Sequence, residues 1–166
     1  MRLGEFQMLQ VVKQVDFGVY LAEDPDDDER VLLPQKQVPP DTQVGDEVEV
    51  FLYKDSKDRP IATTNIPKIA MGVCAVLKVL AIGRIGAFLD WGLEKDLFLP
   101  FKEMTYEVHV GDEVFVRMYI DKSSRLCASM RNIYDMLLLD SPYEKNDTVK
   151  GRIYEFSNNF GTFVAV

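Results

Sequence analysis

The chain has 166 residues, of which 47% are hydrophobic and 28% charged, and it carries a net charge of −8 at pH 7. This composition is typical of a globular protein, and it excludes collagen-like, mucin-like and wholly disordered chains. The negative charge excludes a protein that wraps DNA with its whole surface, because such proteins neutralise phosphates with many Lys and Arg side chains. The net charge still permits a protein that binds nucleic acid through one local face.

Signals for membrane insertion, metal binding and catalysis are missing from the sequence. The longest uninterrupted apolar run, residues 73–77, is far shorter than the roughly 18 residues that cross a bilayer, and the N-terminus lacks the pattern of a signal peptide. With two cysteines and one histidine, neither a disulfide framework nor a Cys/His zinc site is expected. No nucleophile motif, glycine-rich phosphate loop or pair of carboxylates indicates an enzyme. We therefore expect a cytoplasmic, non-catalytic protein with no membrane association and no cofactor.

The first 66 residues predict five short β-strands. Runs rich in Val, Leu, Phe and Tyr alternate with turns of Gly, Asp and Lys, a pattern typical of strands joined by tight loops. The predicted strands are residues 6–14, 19–21, 30–33, 47–53 and 61–64. Between the second and third strands lies an acidic loop, residues 24–29, which lacks the turn glycine and the spaced terminal glutamate of a calcium-binding loop. We expect this acidic loop to be solvated.

The next 66 residues predict the same number of strands, at 73–80, 88–91, 96–99, 113–120 and 125–130. Residues 132–139 depart from the alternating pattern and predict a linker helix of about two turns, which ends near Pro142. Residues 149–154 and 160–166 match the front of the other two units, and the chain stops there within a predicted strand. We therefore expect the native polypeptide to be longer.

The two halves of this pattern are copies of each other. Val-Gly-Asp-Glu-Val occupies residues 44–48 and again residues 110–114, a displacement of 66, while residues 17–21 match 85–89 at a displacement of 68. The displacement of 66 also relates Pro34 to Pro100, Asp55 to Asp121 and Arg59 to Arg125. A duplicated unit of this length with five strands predicts a small closed barrel, which is the economical way to remove sheet edges.

The predicted strands of the second unit are combined with three motifs: Gly-Ala-Phe-Leu at 86–89, Val-Gly-Asp-Glu-Val at 110–114 and the Asp-x-x-x-Arg formed by Asp121 and Arg125. This order of strands and motifs resembles the S1 RNA-binding domain, an OB-fold barrel. Three consecutive copies, with Pro34 and Pro100, are similar to the bacterial conserved virulence factor B-like proteins, in which S1-like domains precede a winged-helix domain. The resemblance covers residues 1–132 and the front of a third unit, and no winged helix is predicted here.

The predicted fold is therefore all-β, with tandem five-stranded OB-fold barrels, a short linker helix and the start of a third barrel. The predicted boundaries are residues 1–66 for barrel 1, 67–132 for barrel 2, 133–146 for the linker helix and loop, and 147–166 for the first strands of the third barrel. An incomplete third barrel leaves an open sheet edge, through which copies of the chain could pair into an oligomer.

The resemblance implies that single-stranded RNA binds one face of each barrel, with a role in post-transcriptional control of gene expression. Exposed rings on strands stack on bases at about 1–3 kcal/mol each, and arginine pairs with phosphate. The implied stacking residues are Phe17, Tyr20, Phe88, Phe160 and Phe163. The resemblance implies that Arg59 and Arg125 bind phosphate, while Asp55 and Asp121 would orient the arginines or accept a base amine. We also expect Lys122 to contact phosphate, and Arg84, next to Ile85, to compensate for the missing ring by a cation–π or phosphate contact.

Several of these residues also have a purely structural alternative. Because side chains alternate along a strand, Phe17, Tyr20 and Phe88 could face the barrel core. The Asp–Arg pairs could do no more than stabilise their turns. Trp91, at the end of a predicted strand, could pack at the mouth of the barrel or serve as a stacking platform.

The two units differ in net charge. Residues 1–66 carry seven basic and fourteen acidic residues, a net charge of −7, whereas residues 67–132 carry nine and eight, a net charge of +1. Acidic surface repels phosphate, so a second hypothesis is a protein-interaction module, in which the acidic loop docks a basic protein of the RNA or translation machinery. Ile85, which replaces a ring, favours this hypothesis, as do the two prolines that stand where many S1 domains have His.

Overall fold

The structure, a computed structural model, describes residues 1–137, 143–157 and 161–166. Within these ranges the chain forms β-strands and three single 3-10 turns, in agreement with the predicted all-β class. Two closed five-stranded barrels are followed by a two-stranded sheet. Among the described residues, no helix has the length and apolar character needed to cross a membrane.

Barrel 1 closes through four antiparallel pairings and one parallel pairing. Its strands are β1 (Phe6–Val15), β2 (Gly18–Ala22), β3 (Val31–Pro34), β4 (Glu47–Lys54) and β5 (Pro60–Thr63). They follow the order β1-β2-β3-β5-β4, and β1 pairs with β4 to complete the circle. Leu9, Leu21, Leu33 and Leu52 form much of the core, because side chains alternate inward and outward along each strand.

Barrel 2 repeats this topology. Its strands are β6 (Cys74–Ile82), β7 (Gly86–Asp90), β8 (Leu97–Pro100), β9 (Glu113–Ile120) and β10 (Leu126–Ser129). They follow the order β10-β8-β7-β6-β9, and β8 pairs with β10 in parallel. All ten barrel strands begin and end within two residues of the predicted positions, so the tandem barrels are confirmed.

A third sheet consists of β11 (Arg152–Ser157) and β12 (Gly161–Ala165), which pair antiparallel. Their register shifts between Ile153 and Glu155. The first hairpin of each barrel has a shift at the equivalent place in β1 and in β6. This shared irregularity supports the predicted third copy of the repeat.

The linker between barrel 2 and the third sheet is less helical than predicted. Instead of two turns over residues 132–139, its described part contains one 3-10 turn, Tyr134–Met136. Asn132 has a left-handed backbone with a φ of 56°, and Leu137 is extended, so the turn does not continue as an α-helix in either direction. The remainder of the predicted helix lies outside the described residues.

An aromatic cluster joins the two barrels. Phe51 and Tyr53 lie on the outer face of β4, whose other outward positions, Glu47 and Glu49, are exposed. Both rings are nevertheless buried, because Trp91, which directly follows β7 in the sequence, packs edge-on against them, with ring centroids 5.9 and 6.0 Å apart. Trp91 is only 2% exposed. Of the two alternatives for Trp91, the structure therefore supports packing.

Gly86 permits the close approach of β7 and β8. A Cβ atom at this position would lie 2.2 Å from the carbonyl oxygen of Leu99 and 2.6 Å from a ring carbon of Phe98. We expect Gly86→Ala to lower the free energy of unfolding by about 1–3 kcal/mol, because the paired strand can move aside only by disrupting its own hydrogen bonds. Urea unfolding followed by far-UV circular dichroism measures this change.

Gly83→Ala is the matched control for this prediction. A Cβ atom on Gly83 would approach only the edge of the Phe88 ring, at 3.2 Å, and a ring edge moves more easily than a strand backbone. The control is therefore expected to lose less stability. A Gly86→Ala variant as stable as the unmodified chain would contradict the prediction.

Candidate nucleic-acid interface

An open groove on barrel 2 gathers basic and aromatic side chains. It has a volume of about 400 Å³. The residues that line it are Arg84, Ile85, Phe98, Pro100, Phe101, Lys102, Tyr119, Asp121 and Arg125. We call this feature the barrel 2 groove. Three of the predicted site residues, Arg84, Asp121 and Arg125, meet in it, together with four side chains that were not predicted: Phe98, Phe101, Lys102 and Tyr119.

The turn between β9 and β10 holds the arginine of the groove. One carboxylate oxygen of Asp121 accepts hydrogen bonds from the backbone N–H groups of Ser123 and Arg125, at 2.8 and 3.0 Å. The other oxygen accepts the Arg125 Nε–H at 3.0 Å. Burial opposes ionisation of Asp121, but these hydrogen bonds outweigh it and lower the pKa of the carboxyl. The Arg125 side chain remains 46% exposed and is therefore accessible to a ligand.

Barrel 1 builds the same turn from Asp55 and Arg59. Asp55 accepts the Arg59 Nε–H at 2.9 Å and an Nη2–H at 2.7 Å. Burial again opposes ionisation, and the hydrogen bonds from Arg59 lower the pKa of Asp55. Arg59 is 67% exposed. Both Asp–Arg pairs thus stabilise their turns, as the structural alternative proposed, and both leave the guanidinium accessible.

Two rings lie side by side on β7 and β8. Phe88 and Phe98 are directly opposite each other in the antiparallel pair, and their ring centroids are 5.6 Å apart. Both are half-buried, and neither belongs to the barrel core. The sequence did not reveal Phe98, because in the run Leu-Phe-Leu-Pro nothing local distinguishes an outward ring from a packed one. Its position follows only from its register against Phe88.

Tyr119 on β9 adds another ring to the groove lining. The Arg117 guanidinium carbon lies 5.6 Å from its ring centroid, a cation–π contact. Burial above all, then the neighbouring Cys127 thiol, raises the pKa of Tyr119 to about 12. A sequence signal existed, because Tyr119 stands two residues before Asp121 and residues two apart share a strand face.

The predicted rings of barrel 1 are outside its core. Phe17 is 57% exposed, Tyr20 is half-buried, and the two rings meet edge to face with centroids 6.4 Å apart. Asp16, next to Phe17, stands at the position equivalent to Arg84, so an acidic side chain replaces a basic one. The acidic loop, residues 24–29, follows the other end of β2 and is exposed throughout.

Two further predicted residues within the described part of the chain do not line the barrel 2 groove. Lys122 is exposed in the same turn as Arg125. Phe163 of the third sheet is half-buried beside Tyr134 and Tyr154, with centroid distances of 6.4 and 6.1 Å, so its ring contributes to packing between the sheet and the linker. Phe160 lies outside the described residues.

Comparison with protein families accounts for this architecture. A family model described as the S1 domain matches residues 3–65 and again residues 71–131. The chain belongs to the S1 domain family. This membership confirms the resemblance seen in the sequence, and it suggests that the chain binds nucleic acid.

Relatives of this S1 protein are longer. The uncharacterised protein YitL of Bacillus subtilis (strain 168) is 29% identical over 172 residues, which cover 99% of this chain and 56% of that protein. Conserved virulence factor B of Staphylococcus saprophyticus is 29% identical over 134 residues, which cover 77% of this chain and 44% of that protein. The chain therefore spans about half the length of these relatives.

A solved structure has the same fold. It is the crystal structure of a multidomain protein with nucleic acid binding domains from Streptococcus pneumoniae TIGR4, and it matches with a TM-score of 0.69. The match covers 98% of this chain and 58% of that chain at 21% sequence identity. The likeness extends over both S1 barrels and supports their tandem arrangement.

Proposed function

We propose that the chain binds single-stranded RNA in the barrel 2 groove, without catalysis, and that this binding regulates gene expression post-transcriptionally in the cytoplasm. The observation that carries the proposal is the convergence of Arg84, Lys102 and Arg125 with the rings of Phe98 and Tyr119 around one open groove. Within the described part of the chain, Arg84 and Lys102 make no ion pair, so their charges are available to phosphate.

The chemistry of the groove favours a single strand over a duplex. Each unpaired base offers a flat face to an aromatic ring, and such stacking is worth about 1–3 kcal/mol per base. The phosphates between the bases accept charge-assisted hydrogen bonds from Arg and Lys. In a duplex the base faces are already stacked on one another, so the rings of the groove would have no partner. We include Phe88 and Lys122 in the RNA-binding surface because Phe88 lies opposite Phe98 and Lys122 lies in the same turn as Arg125.

The acidic loop supports a second candidate function, docking of a basic protein of the RNA or translation machinery. Residues 24–29 are all exposed. Glu29 lies 3.8 Å from the N-terminal amine, whereas the four aspartates of the loop make no ion pair among the described residues. Deletion of the loop would abolish capture of such a partner, but it would leave RNA affinity unchanged or raise it.

Fluorescence anisotropy with a labelled oligouridylate of about a dozen nucleotides tests RNA binding, since OB folds engage about 4–16 nucleotides. We expect Arg84→Ala/Lys102→Ala to weaken binding at least about tenfold, because two charge-assisted contacts are lost. Lys145→Ala/Lys150→Ala removes the same charge from exposed positions outside the groove and is the matched control. We expect this control to stay within about twofold of the unmodified chain. Absence of binding by the unmodified chain, or equal losses in the two double variants, would overturn the proposal.

A further inference from the structure

Barrel 1 has positions equivalent to those that line the barrel 2 groove, and a segment of barrel 2 contacts several of them. We call this surface of barrel 1 the barrel 1 groove. The repeat displacement and the matching strand registers equate Lys36 with Lys102, Tyr53 with Tyr119, and Asp55 with Asp121. The segment that reaches these barrel 1 positions is the β7–β8 loop, residues 91–96. Its contacts distinguish the two grooves.

The aromatic side of the barrel 1 groove is covered by Trp91. Its ring packs edge-on against Tyr53 with centroids 6.0 Å apart, and Tyr53 is buried as a result. Glu94 of the same loop forms an ion pair with Lys36. Burial above all, then the Glu94 carboxylate, raises the pKa of Tyr53. The ring that would face a ligand is thus covered by barrel 2, and the lysine, which stays exposed, is paired with a carboxylate of barrel 2.

The Asp–Arg turn of barrel 1 is also contacted by the loop. Lys95 Nζ donates a hydrogen bond to the backbone carbonyl oxygen of Asp55 at 3.0 Å. The same ammonium pairs with the Asp58 carboxylate at 3.1 Å. Lys95 therefore ties the loop to the turn that carries Arg59.

The equivalent positions of barrel 2 face an open groove. Lys102, Tyr119 and Asp121 all line it. Among the described residues, Lys102 has no ion pair, whereas its counterpart Lys36 is paired with Glu94. The barrel 2 groove therefore keeps its cation and its ring available.

Two substitutions add to the difference between the grooves. Asp16 occupies the position of Arg84, so a negative charge replaces a positive one at the groove edge. Leu32 occupies the position of Phe98, so an aliphatic side chain replaces a stacking ring. With the Glu94 carboxylate nearby, a phosphate approaching barrel 1 would meet repulsion where barrel 2 offers attraction.

We propose that the two homologous grooves have divided roles: the groove of barrel 1 serves as the docking site for the β7–β8 loop, and that of barrel 2 alone binds RNA within residues 1–132. This inference rests on the proposed function. Barrel 1 then acts as a rigid platform for barrel 2. Its outward-facing Phe17 and Tyr20 are not sufficient for binding, because Tyr53 is covered by the loop and Lys36 is paired with it.

Matched variants at one repeat position test this division. Arg59→Ala and Arg125→Ala remove equivalent side chains from equivalent turns, so their effects on folding are comparable. In anisotropy titrations with the labelled oligouridylate, we expect Arg125→Ala to weaken binding about tenfold and Arg59→Ala to change it less than about twofold. An NMR titration of the unmodified chain is independent of mutation. Amide signals of the barrel 2 groove should shift on addition of RNA, and those of the equivalent barrel 1 residues should not.

The outcomes separate this inference from the proposed function. If Arg59→Ala loses as much affinity as Arg125→Ala, or if the barrel 1 signals shift as strongly, the division of roles is wrong while RNA binding stands. If the unmodified chain does not bind the oligouridylate, the proposed function fails and the inference fails with it.

Discussion

Replacement of Trp91 by alanine is expected to lower the free energy of unfolding by about 3–5 kcal/mol, the cost of truncating a buried aromatic side chain. The Trp91 ring packs on Phe51 and Tyr53, and these side chains belong to the same cluster as the core of barrel 2. Alanine would leave a cavity between the barrels. It would also remove the hydrogen bond that the indole N–H donates to the Lys95 carbonyl, so a partly buried acceptor would lose its partner.

Urea unfolding followed by far-UV circular dichroism measures this loss. Circular dichroism is needed because Trp91 is the only tryptophan, and its fluorescence disappears with it. Trp91→Phe keeps a ring in the cluster and is the matched control, with less than half the loss expected for alanine. A Trp91→Ala variant within about 1 kcal/mol of the unmodified chain would indicate that the barrels do not depend on this contact.

Phe98→Leu is expected to weaken binding of single-stranded RNA by about 5- to 150-fold, which corresponds to the loss of one stacking platform of about 1–3 kcal/mol. Leucine retains an apolar contact with Phe88 across β7 and β8. It is also the residue that barrel 1 has at the equivalent position, Leu32. The fold is therefore expected to tolerate the change, and the variant separates stacking from stability.

Phe115→Leu is the matched control for the stacking prediction. Phe115 lies on β9 of the same barrel, but its ring packs towards Tyr154 with centroids 6.5 Å apart and does not line the groove. Its replacement removes a ring of the same size and should leave RNA affinity within about twofold. Equal losses in the two variants, or an unchanged affinity for Phe98→Leu, would contradict the stacking role.

Local patterns were sufficient to predict the strands and the Asp–Arg turns. Apolar alternation and Gly or Asp turns depend on a few neighbouring residues, so the barrel strands were predicted closely. Asp55 and Arg59 are only four residues apart and form their ion pair within one turn. The linker helix was predicted too long, because the pattern of apolar residues does not reveal the left-handed backbone at Asn132.

The composition of the barrel 2 groove was only partly predictable. Arg125 was implied by the S1 resemblance and Arg84 was predicted from its place beside Ile85, whereas Phe98, Lys102 and Tyr119 were not identified. These three come from β8, from the 3-10 turn that follows it and from β9, and barrel closure brings them together. The sequence alone does not show that these three residues lie close together.

The sequence by itself determined the duplicated S1 barrels, their strands and their turns, because these depend on neighbouring residues and on a repeat that is visible along the chain. Only the tertiary structure decided that Trp91 is buried, that the β7–β8 loop lies on barrel 1, and that the groove of barrel 2 is open. Each of these features depends on contacts between residues distant in the chain. Such contacts form where two folded surfaces fit together, and the pattern of residues along the chain does not predict which surfaces will meet.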